Sequence, residues 1–106
     1  MTKYVVIYEN VEKDGIVKGL LPHVVKSHVE YLKDLHSQGI LLMWGPFKGC
    51  RNGLLIFEAN SLEEVESYIL KDPFISDTGY ASYLIYEWME ANKSNDYLLN
   101  ECQKWT

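Results

Sequence analysis

Cysteine is nearly missing from this chain: Cys50 and Cys102 are too few and too widely separated for a disulfide scaffold or a metal site. Arginine is rarer still. Arg51 is the one guanidinium available for bidentate contacts, and the lysines are scattered. With a net charge of −5, no basic face exists to hold phosphates, which excludes a nucleic-acid partner. No apolar run approaches the ~20 residues of a spanning helix, so no membrane partner is expected. Met1-Thr2-Lys3 runs straight into a strand without the layout of a signal peptide, and the cytoplasm is the expected compartment. Phosphate-binding glycine loops, nucleophile elbows and metal-ligand spacings are all lacking, so neither a cofactor nor a metal is expected.

What is present fits a single domain, because 106 residues lie in the usual ~100–150 range. Tyr4 to Glu9 is a β-branched and aromatic run and predicts a first strand. Asn10 to Leu20, with Gly15 and Gly19, predicts a long exposed loop. From Leu21 to Gln38, Val25, His28, Leu32 and Leu35 recur at helical spacing, between Pro22 at the start and Gly39 at the end. Ile40 to Trp44 and Gly53 to Ala59 are apolar runs that predict two more strands, separated by Gly45-Pro46 and a turn. Ser61-Leu62-Glu63-Glu64 has the layout of a capping box, and Leu62, Val65 and Ile69 stripe the helix that follows until Pro73 stops it. Tyr80 to Met89 predicts the last strand. A short terminal helix is expected around Tyr97, Leu98, Leu99 and Cys102. The order is βαββαβ plus a tail: an α+β ferredoxin-like domain over residues 1–92, with a four-stranded antiparallel sheet, and a C-terminal extension over 93–106.

The strands predict a homodimer. An antiparallel sheet with one wet face alternates apolar and polar residues, whereas Ile40 to Trp44 is apolar at five successive positions and Leu54 to Ala59 is broken only by Glu58. Two helices cover one face of such a sheet. The other would expose more apolar surface than monomers tolerate, unless it pairs with a copy of itself or the segment from Tyr97 to Trp105 folds back over it.

One constellation could carry chemistry. His28 lies in the apolar stripe of the first helix, and a histidine there is either a satisfied core residue or an acid–base group. Asp72 before Pro73 is either a turn initiator or the carboxylate that orients His28. In βαββαβ order, the start of the first helix, the Trp44-Gly45-Pro46 corner and Asp72-Pro73-Phe74 meet at one end of the molecule. The loop ending at Leu20 lies at the same end and could serve as a lid. Trp44, Gly45, Pro46 and Phe74 are therefore the candidate ligand-facing residues, Gly45 because it lets a ligand approach the backbone. His36 is explained by its place at the helix C-terminus, and Glu63, Glu64 and Glu66 by a solvated capping face.

The order of these short motifs resembles a known family. His28-Val29-Glu30-Tyr31-Leu32, Gly39, Gly45-Pro46, Gly53, Ser61-Leu62-Glu63-Glu64 and Asp72-Pro73-Phe74 are similar to the YciI-like (YCII-related) family of the dimeric α/β-barrel superfamily, over about residues 3 to 90. The resemblance implies a ferredoxin-like fold, pairing through the sheets and a site built on a His and an Asp, which correspond to His28 and Asp72. Many members carry an arginine shortly before the histidine, where this chain has Lys26 and Ser27, so that arginine's contact does not carry over. The wider superfamily implies cofactor-independent acid–base chemistry of isomerase, lyase or dehydrochlorinase type on a small cyclic or aromatic organic acid. A non-catalytic ligand-binding or sensing dimer is the alternative, and a structural module whose tail docks a partner is a third.

Overall fold

A computed structural model describes residues 1–10, 21–78 and 81–105. Strand β1 spans Thr2–Asn10, helix α1 Pro22–Ser37, β2 Leu41–Pro46, β3 Gly53–Ala59, α2 Leu62–Ile69, the single-turn α3 Pro73–Ser76 and β4 Ala81–Trp88. The four strands form one antiparallel sheet in the order β2-β3-β1-β4, the arrangement of a ferredoxin-like fold. No described helix is long and apolar enough to cross a membrane.

Both long helices start and stop for local reasons. Pro22 opens α1, where its missing N–H costs nothing. At the other end Gly39 takes φ +78°, its N–H donates to the His36 carbonyl, and the Ile40 N–H donates to the Leu35 carbonyl. That is a Schellman closure, and its left-handed residue suits glycine. Ser61 caps α2 by accepting the Glu64 N–H at 3.2 Å, while Glu64 reaches back to the Asn60 N–H at 3.1 Å. Glu64 also accepts from Tyr68, and Glu66 accepts from Tyr83 at 3.0 Å. Glu64 is thus a capping group of its own helix, as expected, whereas half-buried Glu66 ties α2 to β4 instead of standing on a solvated face.

The helix-covered face of the sheet holds the core. Tyr4, Val6 and Tyr8 of β1 alternate inward and meet Leu55, Phe57 and Ala59 of β3, Leu41 of β2, Leu32 and Leu35 of α1, and Val65 and Ile69 of α2. Burying each large aliphatic or aromatic side chain contributes roughly 1.5–3 kcal/mol. The opposite face carries Val5, Ile7, Leu54, Ile56, Leu84 and Tyr86, with Lys3 bridged to Glu90 at 3.0 Å near its margin. Leu84 is 46% and Tyr86 56% exposed, so the terminal segment does not fold back over them.

Strand β2 departs from the expectation in a consequential way. Leu41 pairs with Phe57, but Met43, not Leu42, pairs with Ile56. Leu42 is the extra residue of a β-bulge, which reverses the alternation beyond it. Trp44 consequently pairs with Leu55 on the helix-covered side, whereas an unbroken register would place it opposite Leu54 on the other face. The continuous apolar run from Ile40 to Trp44 thus reflects a change of phase as well as two apolar faces.

Other boundaries also shift. β1 runs through Asn10, and the rest of the expected loop and lid, residues 11–20, lies outside the described residues. Gly45 and Pro46 belong to β2, paired with Leu54 and Gly53, instead of forming a corner; Pro46 is tolerated because β2 is an edge strand. The tail is a 3₁₀ segment, Lys93–Trp105, not one regular helix, because Asp96, Tyr97 and Leu98 adopt positive φ and break it.

Candidate active site

Asp72 is where the site begins. It follows α2 and is the N-cap of α3, with its Oδ1 accepting the Phe74 N–H at 3.1 Å. The same carboxylate, which has no exposed surface, sits 2.8 Å (Oδ1) and 3.0 Å (Oδ2) from Nδ1 of His28. Oδ2 also accepts the Tyr8 hydroxyl at 2.8 Å. Three donors from three elements converge on one carboxylate. The two readings of Asp72, turn cap and imidazole partner, are therefore both realised in one side chain.

His28 is held on two sides. Its Nδ1 faces Asp72, and its ring stacks on Phe74 with centroids 3.6 Å apart and an interplanar angle of 7°. The side chain keeps 12% of its surface exposed. Because Asp72 accepts, Nδ1 carries the hydrogen, leaving Nε2 as the ring atom available for proton exchange. Nε2 has no hydrogen-bond partner among the described residues, and no buried side-chain nitrogen or oxygen there lacks one, so Nε2 is open to solvent.

Tyrosines complete the network. Burial, with the charge of Asp72 second, pushes the Tyr8 phenol far above the usual tyrosine range, so it remains a donor. Tyr31, whose hydroxyl donates to the Tyr68 carbonyl at 2.7 Å, is pushed up to about 12, again by burial first and Asp72 second.

His28 opens onto a cavity of about 440 Å³, within the span of small-molecule sites. Its described walls come from β1 (Tyr8), α1 (Val25, His28 and Val29), β2 (Trp44, Gly45 and Pro46) and α3 (Phe74). The β2–β3 connection adds Cys50, Arg51 and Asn52, and β3 adds Gly53 and Leu54. All six residues singled out in the sequence, His28, Asp72, Trp44, Gly45, Pro46 and Phe74, thus meet at one end of the sheet, five as walls and Asp72 behind them. Gly45 earns its place sterically. A Cβ there would meet nothing within 4 Å and would take up space open to a ligand, while a Cβ at Gly53 would sit 3.3 Å from the Gly45 carbonyl oxygen. Trp44 is steadied by an edge contact with His36, at 5.6 Å between centroids; His36 in turn bonds the Leu41 carbonyl at 2.9 Å.

Sequence reasoning missed Tyr8 and the 50–52 stretch. Tyr8 carried a signal, since it continues the Tyr4–Val6 inward alternation to the strand end where His28 was expected. Nothing in a short polar turn announced that Arg51 lines the cavity. No group of three or more His, Cys, Asp or Glu side chains among the described residues could hold a metal ion.

The sequence profile of the YCII-related domain matches residues 3–89. Uncharacterized protein YjpA of Bacillus subtilis (strain 168) is 36% identical over 64 residues, 60% of this chain and 74% of its own length. Among solved structures, 5-chloro-2-hydroxyhydroquinone dehydrochlorinase from Burkholderia phenoliruptrix AC1100, in complex with 2,5-dihydroxybenzoquinone, superposes with a TM-score of 0.65 at 24% identity, covering 82% of this chain and 94% of that one. Muconolactone isomerase superposes with a TM-score of 0.60 at 14% identity, covering 85% and 90%. Both likenesses establish a shared fold.

Proposed function

We infer, for a chain that belongs to the family of YCII-related domains, that its cavity binds a small cyclic compound and that His28 moves a proton there through Nε2. One observation carries this reading: the 2.8 Å contact from Nδ1 to a fully buried carboxylate, with the opposite ring nitrogen open beside the cavity. Asp72 would fix the tautomer and Phe74 the ring plane, so that Nε2 alone exchanges protons. A carbanion or enolate formed in the ligand could be stabilised by backbone near Gly45. The named activities of the two structural neighbours, a dehydrochlorinase and an isomerase of ring compounds, are compatible with such a step.

The reading includes a homodimer formed through the open sheet face. Val5, Ile7, Leu54, Ile56, Leu84 and Tyr86 make that face apolar across β1, β3 and β4, a surface that soluble monomers rarely leave uncovered.

The test starts from a ring-compound library screened by thermal stabilisation, since a ligand of the native state raises the melting point. Hits are then incubated in deuterated buffer and followed by NMR for exchange or turnover. His28→Gln is expected to lower that rate by about 10²–10⁴-fold while retaining binding. A rate that survives the substitution refutes the role of His28; hits that bind wild type without exchange or turnover leave a ligand-binding protein instead.

A further inference from the structure

The connection between β2 and β3 brings a carboxamide to the cavity in one fixed orientation. Asn52 lines the cavity and is half-buried. Its backbone carbonyl accepts the Phe47 N–H at 2.9 Å, and its side-chain Oδ1 accepts the Asn10 N–H at 2.9 Å. Gly53, the next residue, pairs with Pro46 on one side and Tyr8 on the other. Asn52 is thus pinned through both backbone and side chain, to the end of β1 and to the chain leaving β2.

The Asn10 contact settles which way the carboxamide faces. A backbone N–H can only donate, so the side-chain atom 2.9 Å from it is the oxygen, and the Nδ2 amino group is turned away. Nδ2 has no hydrogen-bond partner among the described residues, and no buried side-chain nitrogen or oxygen there lacks one, so Nδ2 is open to solvent. Two other polar groups of the walls are already committed, because the Tyr8 hydroxyl and Nδ1 of His28 both bond Asp72. Around them stand Val25, Val29, Trp44 and Leu54. A donor held still in such a recess serves a ligand oxygen better than the same donor in water, because it need not reorganise and few waters compete once the ligand is in place.

We propose that Asn52 is the residue by which the cavity recognises a carbonyl group, Nδ2–H donating to the carbonyl oxygen while His28 serves the adjacent carbon. A C–H bond at that carbon breaks and its proton goes to Nε2 of His28. The electron pair moves toward the carbonyl, leaving negative charge on the oxygen that Nδ2–H already holds. Return of the proton to carbon restores the ketone. This rests on the reading of His28 as the proton-transfer group, and adds a second, separately testable contact with the reacting atoms.

The probes are 2-indanone, whose methylene groups flank a ketone, and indane, the same ring system without the oxygen. Affinities of the full chain are measured by NMR titration, and exchange of the 2-indanone methylene protons is followed in deuterated buffer against the rate in buffer alone. Asn52→Asp keeps an acceptor for the Asn10 N–H and puts an oxygen where the donor was. It should weaken 2-indanone about two- to tenfold, the worth of one neutral hydrogen bond, and leave indane affinity as in wild type. Exchange of the bound ketone should fall further, by about 10²–10³-fold, because the donor acts on charge that gathers only as the proton leaves. Asn52→Ala removes the donor without adding charge and should show the same fall in exchange. A parallel loss of indane and 2-indanone binding in Asn52→Asp, or exchange that survives either substitution, overturns the assignment of Asn52; if His28→Gln still abolishes exchange, the reading of His28 stands. Exchange that survives His28→Gln, or a wild type that does not exchange 2-indanone, overturns both.

Discussion

Replacing Tyr8 by Phe removes one oxygen atom and nothing of the ring, so its effect isolates the hydrogen bond to Asp72. That bond is 2.8 Å long, buried, and made to a carboxylate. Hydrogen bonds to charged partners contribute about 1.5–3 kcal/mol. Oδ2 would keep a contact with His28 Nδ1 at 3.0 Å, so the acceptor is not wholly orphaned and the lower half of that range applies. A loss of about 2 kcal/mol corresponds to a fall in Tm of about 8 °C for a domain of roughly 100 residues. The assay is thermal unfolding of both proteins at equal concentration across a pH series. The sign of the pH effect follows from the raised pKa of Tyr8. The folded chain holds that phenolic proton more tightly than the unfolded chain does, whose tyrosines titrate near ~10. Tyr8's contribution is therefore whole below about pH 10 and drains away above it, and the gap between wild type and Tyr8→Phe should narrow as pH rises through that point. Tyr31, raised to about 12, stays in both proteins, so each should still lose stability between about pH 10 and 12. Equal melting points at pH 7, or a gap that stays constant into the alkaline range, would refute the argument.

Three further outcomes are expected. Leu84→Glu or Tyr86→Lys places a charge on the open sheet face and should convert a dimer to monomers in sedimentation velocity; a wild type that sediments as a monomer would remove the proposed pairing. Ser61→Ala should cost about 1 kcal/mol in chemical denaturation through loss of the α2 cap, and no loss would mean that Glu64 alone suffices there. Phe74→Ala removes the ring stacked on His28; the pair contributes about 0.5–1.5 kcal/mol beyond area burial. The His28 ring protons should then move downfield in NMR as the aromatic shielding disappears, whereas unchanged shifts would contradict the stacking.

The order of elements could be read from the chain because each carries its own local signal. Pro22 and Gly39 bracket α1, Ser61 and Glu64 open α2, and inward alternation marks β1. Connectivity then put His28, Trp44 and Asp72 at one end of the sheet. What stayed illegible depended on pairing between segments. An unbroken apolar run says nothing of register, so the extra residue at Leu42 and the strand's continuation through Pro46 were invisible. Tyr8 looked like any inward aromatic, because its hydroxyl's partner lies 64 residues away. The side of the turn on which Arg51 falls depends on the anchoring of Asn52 to β1, a contact between two unremarkable asparagines.

The bulge at Leu42 makes pairing, more than side-chain identity, the sensitive variable in this strand. Were Leu42 to pair directly with Ile56, Trp44 would fall opposite Leu54 and its indole would swing from the recess to the far side of the sheet. That slip of one position would strip a wall from the ligand's chamber and plant a bulky ring on the surface where a second subunit is expected to sit. Deleting the extra residue would instead leave Trp44 opposite Leu55, so the strand tolerates a shorter chain better than a straightened one.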